Sequence, residues 1–222
     1  PKPSSAASDV YKRQIFHFKS IFYDGIATQL YVDRRGGPEE KQLGFDTVSK
    51  IKAYAALASA SRNTENELYI TEVNWPLREM SGWSPSAEYL IEESLQSSYL
   101  IRYYLLMLAS GKVKKCYWHQ LVAPGYGLIN NLDGEIKKRD AYFCFKYLIS
   151  KLSDGKTKKF IQEKKLYCLI VEKEHTIIEA VWSSDGNATF KSQPCQQIFD
   201  IRGNAICLVY TSDAADEGLG VD

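Results

Sequence analysis

Three observations make this an α/β sequence. Between Gly25 and Leu152 apolar runs alternate with helical periodicities in the order β-α-β-α-β-α, which calls for parallel strands joined by right-handed crossovers. No Gly-rich phosphate loop follows any strand, which weighs against the nucleotide-binding form of an open, doubly wound sheet. Polar and aromatic side chains gather where strands stop and helices have not begun, the rim on which a closed (β/α)8 TIM barrel carries its chemistry.

The elements follow in order. Gly25 to Val32 (GIATQLYV) reads as a buried strand, and Asp33-Arg34-Arg35-Gly36-Gly37-Pro38 is loop composition. A helix is expected next, capped at Phe45-Asp46-Thr47, with Val48, Ile51, Tyr54, Ala55 and Leu57 at helical spacing through about Ser61. After the polar Arg62 to Asn66 loop, Leu68 to Ile70 form a short buried strand that delivers Glu72, and Trp75-Pro76 turns the chain stiffly away. Ser84 and Pro85 predict the N-cap and first turn of a second helix, which stops at Ser110-Gly111. Its Tyr99, Tyr103 and Tyr104 read as a packing face.

Val113 to Val122 (VKKCYWHQLV) is the third strand, followed by the loop Ala123 to Gly127 and a shorter helix from about Asp140 to Leu152. Beyond Asp154-Gly155 the pattern changes. Leu166 to Val171, Thr176 to Trp182, Ala188 to Phe190 and a run near Ala205 to Val209 are short strands between turns, an antiparallel sheet appended to the α/β unit.

Composition narrows the partners. Of 222 residues 45% are apolar and 25% charged, the net charge is +1, and Lys and Arg form no stripe, so no nucleic-acid partner is expected. No apolar run reaches the length of a membrane span. Five cysteines without a C-x-x-C pair and three scattered histidines signal neither a disulfide framework nor a metal site; unpaired thiols suit a reducing, cytoplasmic compartment. No cofactor motif is present. Both ends, residues 1–14 (PKPSSAASDVYKRQ) and 210–222 (YTSDAADEGLGVD), resemble translated adaptor read-through at the ends of proteins from fragmentary metagenomic assemblies. The expected division is therefore a leader, an α/β unit over 15–155, a β module over 156–209, and a tail.

Parallel strands bring three ends to one rim: Tyr31, Asp33 and Arg34; Glu72, Asn74 and Trp75; Trp118, His119 and Gln120. A carboxylate beside indoles suits a sugar, whose rings have apolar faces and whose reacting carbon develops positive charge. The competing reading of the same residues is a salt-bridged glutamate above a core tryptophan. Asp33 and Arg34 read as an ion pair bracing the loop. Because Trp118 and His119 are consecutive in a strand they point to opposite faces; Trp118 is assigned to the site and His119 to packing. Tyr126 is a possible stacking ring, although its flanking glycines explain the loop without it.

The segments LYVDRRGGPE, LYITEVNWPL and CYWHQLVAPGYGLIN resemble the last three strands of a clan-A retaining glycoside hydrolase, in the group of β-xylosidase- and iduronidase-like barrels. The resemblance covers about Gly25 to Leu152. It implies the last three units of a (β/α)8 barrel, with Glu72 as nucleophile at the end of the seventh strand, Trp118 as the aromatic floor at the end of the eighth, and Tyr31 beside the nucleophile. It also implies a carbohydrate substrate, no cofactor, and a β-sandwich-like module in the tail. Asn74, Trp75 and Tyr126 complete the expected substrate-binding set. The family's acid/base glutamate, which follows an asparagine, has no counterpart in this sequence. Asn66-Glu67 enters the Glu72 strand from its far end, about 16 Å away at ~3.3 Å per residue, so Glu67 is not the partner. The chain is thus expected to be the C-terminal part of an enzyme. A non-catalytic carbohydrate-binding protein is the alternative.

Overall fold

The computed structural model describes residues 25–32, 35–59, 67–83, 89–186, 188–190 and 197–206. Strands β1 (Gly25–Gln29), β2 (Glu67–Val73) and β3 (Lys115–Trp118) form a parallel sheet in that spatial order. Helices α1 (Thr47–Ala58), α2 (Glu93–Ser110) and α3 (Asp140–Leu152) follow the three strands in turn. A two-residue pairing, β4 (Ile129–Asn130) with β5 (Lys137–Lys138), interrupts the connection between β3 and α3. An antiparallel sheet of β6 (Lys156–Glu163), β7 (Leu166–Lys173) and β8 (Thr176–Ser183) follows. The chain is a mixed α/β protein with one parallel sheet and separate antiparallel ones.

Local chemistry accounts for the helix ends. The Asp46 carboxylate accepts the Ser49 N–H at 2.8 Å and opens α1, a cap worth about 1 kcal/mol. Gly111 takes the left-handed conformation, φ 61°, that closes α2. The start of α2 corrects the expectation built on Ser84 and Pro85: residues 84–88 lie outside the described residues, Ile91 pairs with Leu77 in an isolated bridge, and the helix begins at Glu93. The strands are also shorter than their apolar runs. β1 stops at Gln29 and β3 spans four residues, although Leu30 N still donates to the Glu72 carbonyl and His119 N to the Val73 carbonyl. Ala188 to Phe190 form no strand, Phe199 and Ala205 make a single bridge, and 207–209 lie outside the described residues. The expected leader, the tail and the Asp33–Arg34 pair also lie outside them.

The helices cover one face of the parallel sheet. Ile26, Leu30, Leu68 and Ile70 are buried with Ile51 and Ala58 of α1, while Ala27, Gln29, Thr71, Lys115 and Tyr117 are exposed on the other face. Tyr103 on α2 reaches the sheet and donates to the Leu30 carbonyl at 2.7 Å. A second core joins Val73, Trp75, Leu77, Leu100, Tyr103 and Leu128 to Leu169 and Val171 of β7, so apolar packing continues across Asp154-Gly155. The junction is also polar. Glu39, in the loop after β1, is 6% exposed at its side chain; it pairs with Arg102 of α2 and accepts from Trp182 Nε1 of β8 at 2.7 Å.

Candidate functional site

The site is built on a fault in β2. In a regular strand alternate residues share a face, so Glu72 would point with Leu68 and Ile70 into α1. Both neighbouring strands show one extra residue in β2. β1 advances from Thr28 to Gln29 while β2 advances from Ile70 to Glu72, and β3 advances from Cys116 to Trp118 while β2 goes from Ile70 to Val73. Such a bulge reverses the alternation beyond it. Ile70 and Val73, three apart, are both fully buried; Thr71 is exposed and Glu72 half-buried.

Beyond the bulge Glu72 meets Tyr31, whose hydroxyl donates to Glu72 Oε2 at 2.7 Å. Tyr31 follows Ala27 and Gln29 in β1's alternation, which brings its ring to the helix-free side. Burial first, and then the bond to Glu72, push its phenol well above the ordinary value, so it stays a donor throughout the neutral range. Arg35 lies over the Tyr31 ring. Its guanidinium carbon sits 3.8 Å from the Tyr31 ring centroid, and Nη1 donates to the Asn74 carbonyl at 3.2 Å. Arg35 is at φ 54°, a conformation a side chain adopts at a cost. Sequence reading named Asp33 and Arg34 for this loop and passed over Arg35, whose only signal was its place before Gly36-Gly37.

Asn74 is 4% exposed and donates through Nδ2 to the His119 carbonyl, tying the end of β2 to the end of β3. Trp75 has no exposed surface: its indole N–H donates to the Gly36 carbonyl at 3.0 Å, and Tyr99 and Tyr103 of α2 meet its ring edge-on at 5.6 and 5.7 Å. This corrects the expectation that Trp75 touches a substrate; it supports the site from beneath. Trp118 lies against Trp75. It pairs with Val73, stacks on Trp75 at 6.0 Å and packs against the core, while its Nε1 donates to the Tyr126 carbonyl at 3.1 Å. Its ring is partly exposed, but the helix-free face of β3 belongs to Tyr117, which is 50% exposed and was not singled out from sequence. His119, read as packing only, stacks its ring on Tyr126.

The structure therefore brings Tyr31 and Glu72 into contact, sets Asn74 and Trp75 behind them, and links Trp118 and Tyr126 through a hydrogen bond. Glu67, at the other end of β2, is held by Lys114 at 2.7 Å and by the Tyr69 hydroxyl. Among the described residues no three His, Cys, Asp or Glu side chains cluster as metal ligands. The arrangement offers a carboxylate with a fixed hydrogen-bond donor at the open end of a parallel strand.

No protein-family model and no curated protein matches the chain. Among solved structures it is similar to a family 39 glycoside hydrolase from the gut symbiont Bacteroides cellulosilyticus WH2, at a TM-score of 0.69 and 13% identity. The likeness covers 85% of this chain and 41% of that one, so the chain spans well under half of its neighbour's length and shares its fold over that stretch.

Proposed function

We propose that this chain is the C-terminal part of a retaining glycoside hydrolase, in which β1, β2 and β3 are the last three strands of a (β/α)8 barrel and Glu72 is the nucleophile. The observation that carries the reading is the bulge in β2 that turns Glu72 away from α1 and onto the Tyr31 hydroxyl. A barrel places its reacting groups at the C-terminal ends of its strands, where Glu72 stands. The likeness to a family 39 glycoside hydrolase supports both the fold and the chemistry.

In this mechanism Glu72 attacks the anomeric carbon of a carbohydrate while a second carboxyl group, about 5–5.5 Å away, protonates the leaving oxygen. Tyr31 holds Glu72 in one rotamer and, because it donates, withdraws charge from the oxygen that it touches. The neighbouring Arg35 keeps the local field positive. Trp118 and Tyr126 bound the sugar subsite, with Asn74 and Trp75 as its support. The acid/base carboxyl comes from another strand of the complete barrel.

In the complete enzyme Glu72→Gln should lower kcat by about 10⁴-fold or more, and in Glu72→Ala, which leaves room for a small anion, exogenous azide should restore cleavage of an activated aryl glycoside. Turnover of Glu72→Gln at the unmodified enzyme's rate would refute the assignment. Residues 1–222 alone should hydrolyse an unactivated oligosaccharide negligibly, since its alkoxide leaving group needs a proton and general acid catalysis contributes roughly 10²–10⁴-fold. Rapid hydrolysis by this chain would remove the need for a second carboxylate from elsewhere.

A further inference from the structure

The loop that carries Arg35 is fastened residue by residue. The Gly36 carbonyl accepts from Trp75 Nε1 at 3.0 Å, the Gly37 N–H donates to the Glu40 carboxylate at 2.9 Å, and the Pro38 carbonyl accepts from the buried Thr47 hydroxyl at 2.6 Å. Glu39 comes next, and its bonds lead out of the loop to α2 and to the tail. Its Oε1 accepts from Arg102 Nε at 2.9 Å and from Trp182 Nε1 at 2.7 Å, while Arg102 Nη2 reaches Oε2. The two charged side chains are 11% and 6% exposed. A buried ion pair left half-made is costly, so the loop has one arrangement that satisfies it.

Trp182 is itself held in place. Each tail strand supplies one ring to a cluster, Phe160 from β6, Tyr167 from β7 and Trp182 from β8. Trp182 stacks on Tyr167 with centroids 5.3 Å apart and planes 11° apart, and on Phe160 at 6.2 Å. At the far end of the loop, Arg35 keeps a left-handed φ of 54°. A side chain stays in that region only where its surroundings over-determine it, and the bonds from Gly36 to Glu39 do so.

We propose that Trp182 is a positioning residue for the Glu72 site: through Glu39 the tail sheet holds the loop after β1 in the arrangement that lays the Arg35 guanidinium over Tyr31, the donor to Glu72. This role rests on the reading of Glu72 as nucleophile and extends it to a side chain of the other sheet. The guanidinium, 3.8 Å from the ring centroid, fixes the Tyr31 ring by a cation–π contact and so aims its hydroxyl. Displacement of a reacting group by ~1 Å can cost up to ~10²-fold in rate, so a loop released at Glu39 is felt at Glu72.

Two measurements test this. In the 222-residue chain the Arg35 Nε–H resonance, assigned by its loss in Arg35→Lys, should carry the upfield ring-current shift of a group above an aromatic face. Trp182→Phe keeps a ring in the stack and deletes the N–H; it should move that resonance back toward the free-arginine position while the β7 amides stay protected from exchange. Ile177→Ser, at an exposed position on the opposite face of β8, should leave the resonance where it is. In the complete enzyme, with a 4-nitrophenyl glycoside that it cleaves, Trp182→Phe should lower kcat about three- to tenfold and change KM little. Added to Arg35→Ala it should cost nothing more, because the two act through one loop, whereas a Trp182 that only supports the fold would cost the same in both backgrounds. An Arg35 resonance unmoved by Trp182→Phe overturns the proposal, and so do additive losses or an unchanged kcat. A moved resonance together with a complete protein that cleaves no glycoside would sink the nucleophile assignment and leave the link between sheet and loop standing.

Discussion

The two glutamates of β2 stand at opposite ends of one strand and are held in opposite ways. Glu67 is paired with a cation, Lys114, and accepts from Tyr69; that lysine bond is the first cause of a carboxyl held below its ordinary value. Among the described residues Glu72 is instead held by a neutral hydroxyl, with the nearby guanidinium directed at a ring face and a backbone carbonyl. An ion pair lowers a carboxylate's basicity and occupies one of its oxygens. A neutral donor fixes its position and leaves its charge for a reaction.

The comparison is broken most readily by exchanging both glutamates in the complete enzyme. Glu67→Gln should leave kcat within about twofold, against the loss of about 10⁴-fold or more for Glu72→Gln; equal losses would erase the distinction. Next in size is Tyr31→Phe, which removes a hydrogen bond to a charged group worth about 1.5–3 kcal/mol. It should lower kcat roughly ten- to hundredfold while KM changes little, and an unaltered kcat would mean that Tyr31 is only packing.

The smallest effect is a titration. In carbon-detected NMR the Glu67 carboxyl should titrate below its ordinary value, and in Lys114→Met it should move back up toward it. The sign follows from linkage: a carboxyl depressed in the folded state adds stability above its unfolded pKa and loses it as pH falls through the folded one. Any pH-dependent gain from this pair is therefore lost on the acid side. A Glu67 titration unmoved by Lys114→Met would show that the ion pair does not hold it.

Much of this was legible in the residues. The alternation of elements, the Asp46 cap, the Gly111 stop, α3 from Asp140 to Leu152 and the antiparallel tail follow from local chemistry and periodicity. The bulge was not. Leu68, Ile70 and Glu72 read as one face, and the extra residue that separates them shows only in the register of two neighbours. β6 was missed for a related reason: KTKKFIQE is too charged to read as a strand, and it exists through its pairing with β7. Trp75 reads from sequence as an aromatic open to a substrate, because sequence shows an indole beside a carboxylate but not the helix that covers it. Arg139, buried against the carbonyls of Ala123, Pro124 and Gly127, gave no signal, since every residue has a carbonyl.

The Glu39 junction bears on how the tail is to be handled. Asp154-Gly155 looks like a place to cut, since composition and architecture both change there. Cutting there would take away the indole N–H that Trp182 gives Glu39, and would strip Leu169 and Val171 from the surface of α2 and α3. Shortening the chain at this point would open the apolar cluster that Leu169 and Val171 help to close, and grafting the sheet elsewhere would carry half of a seam.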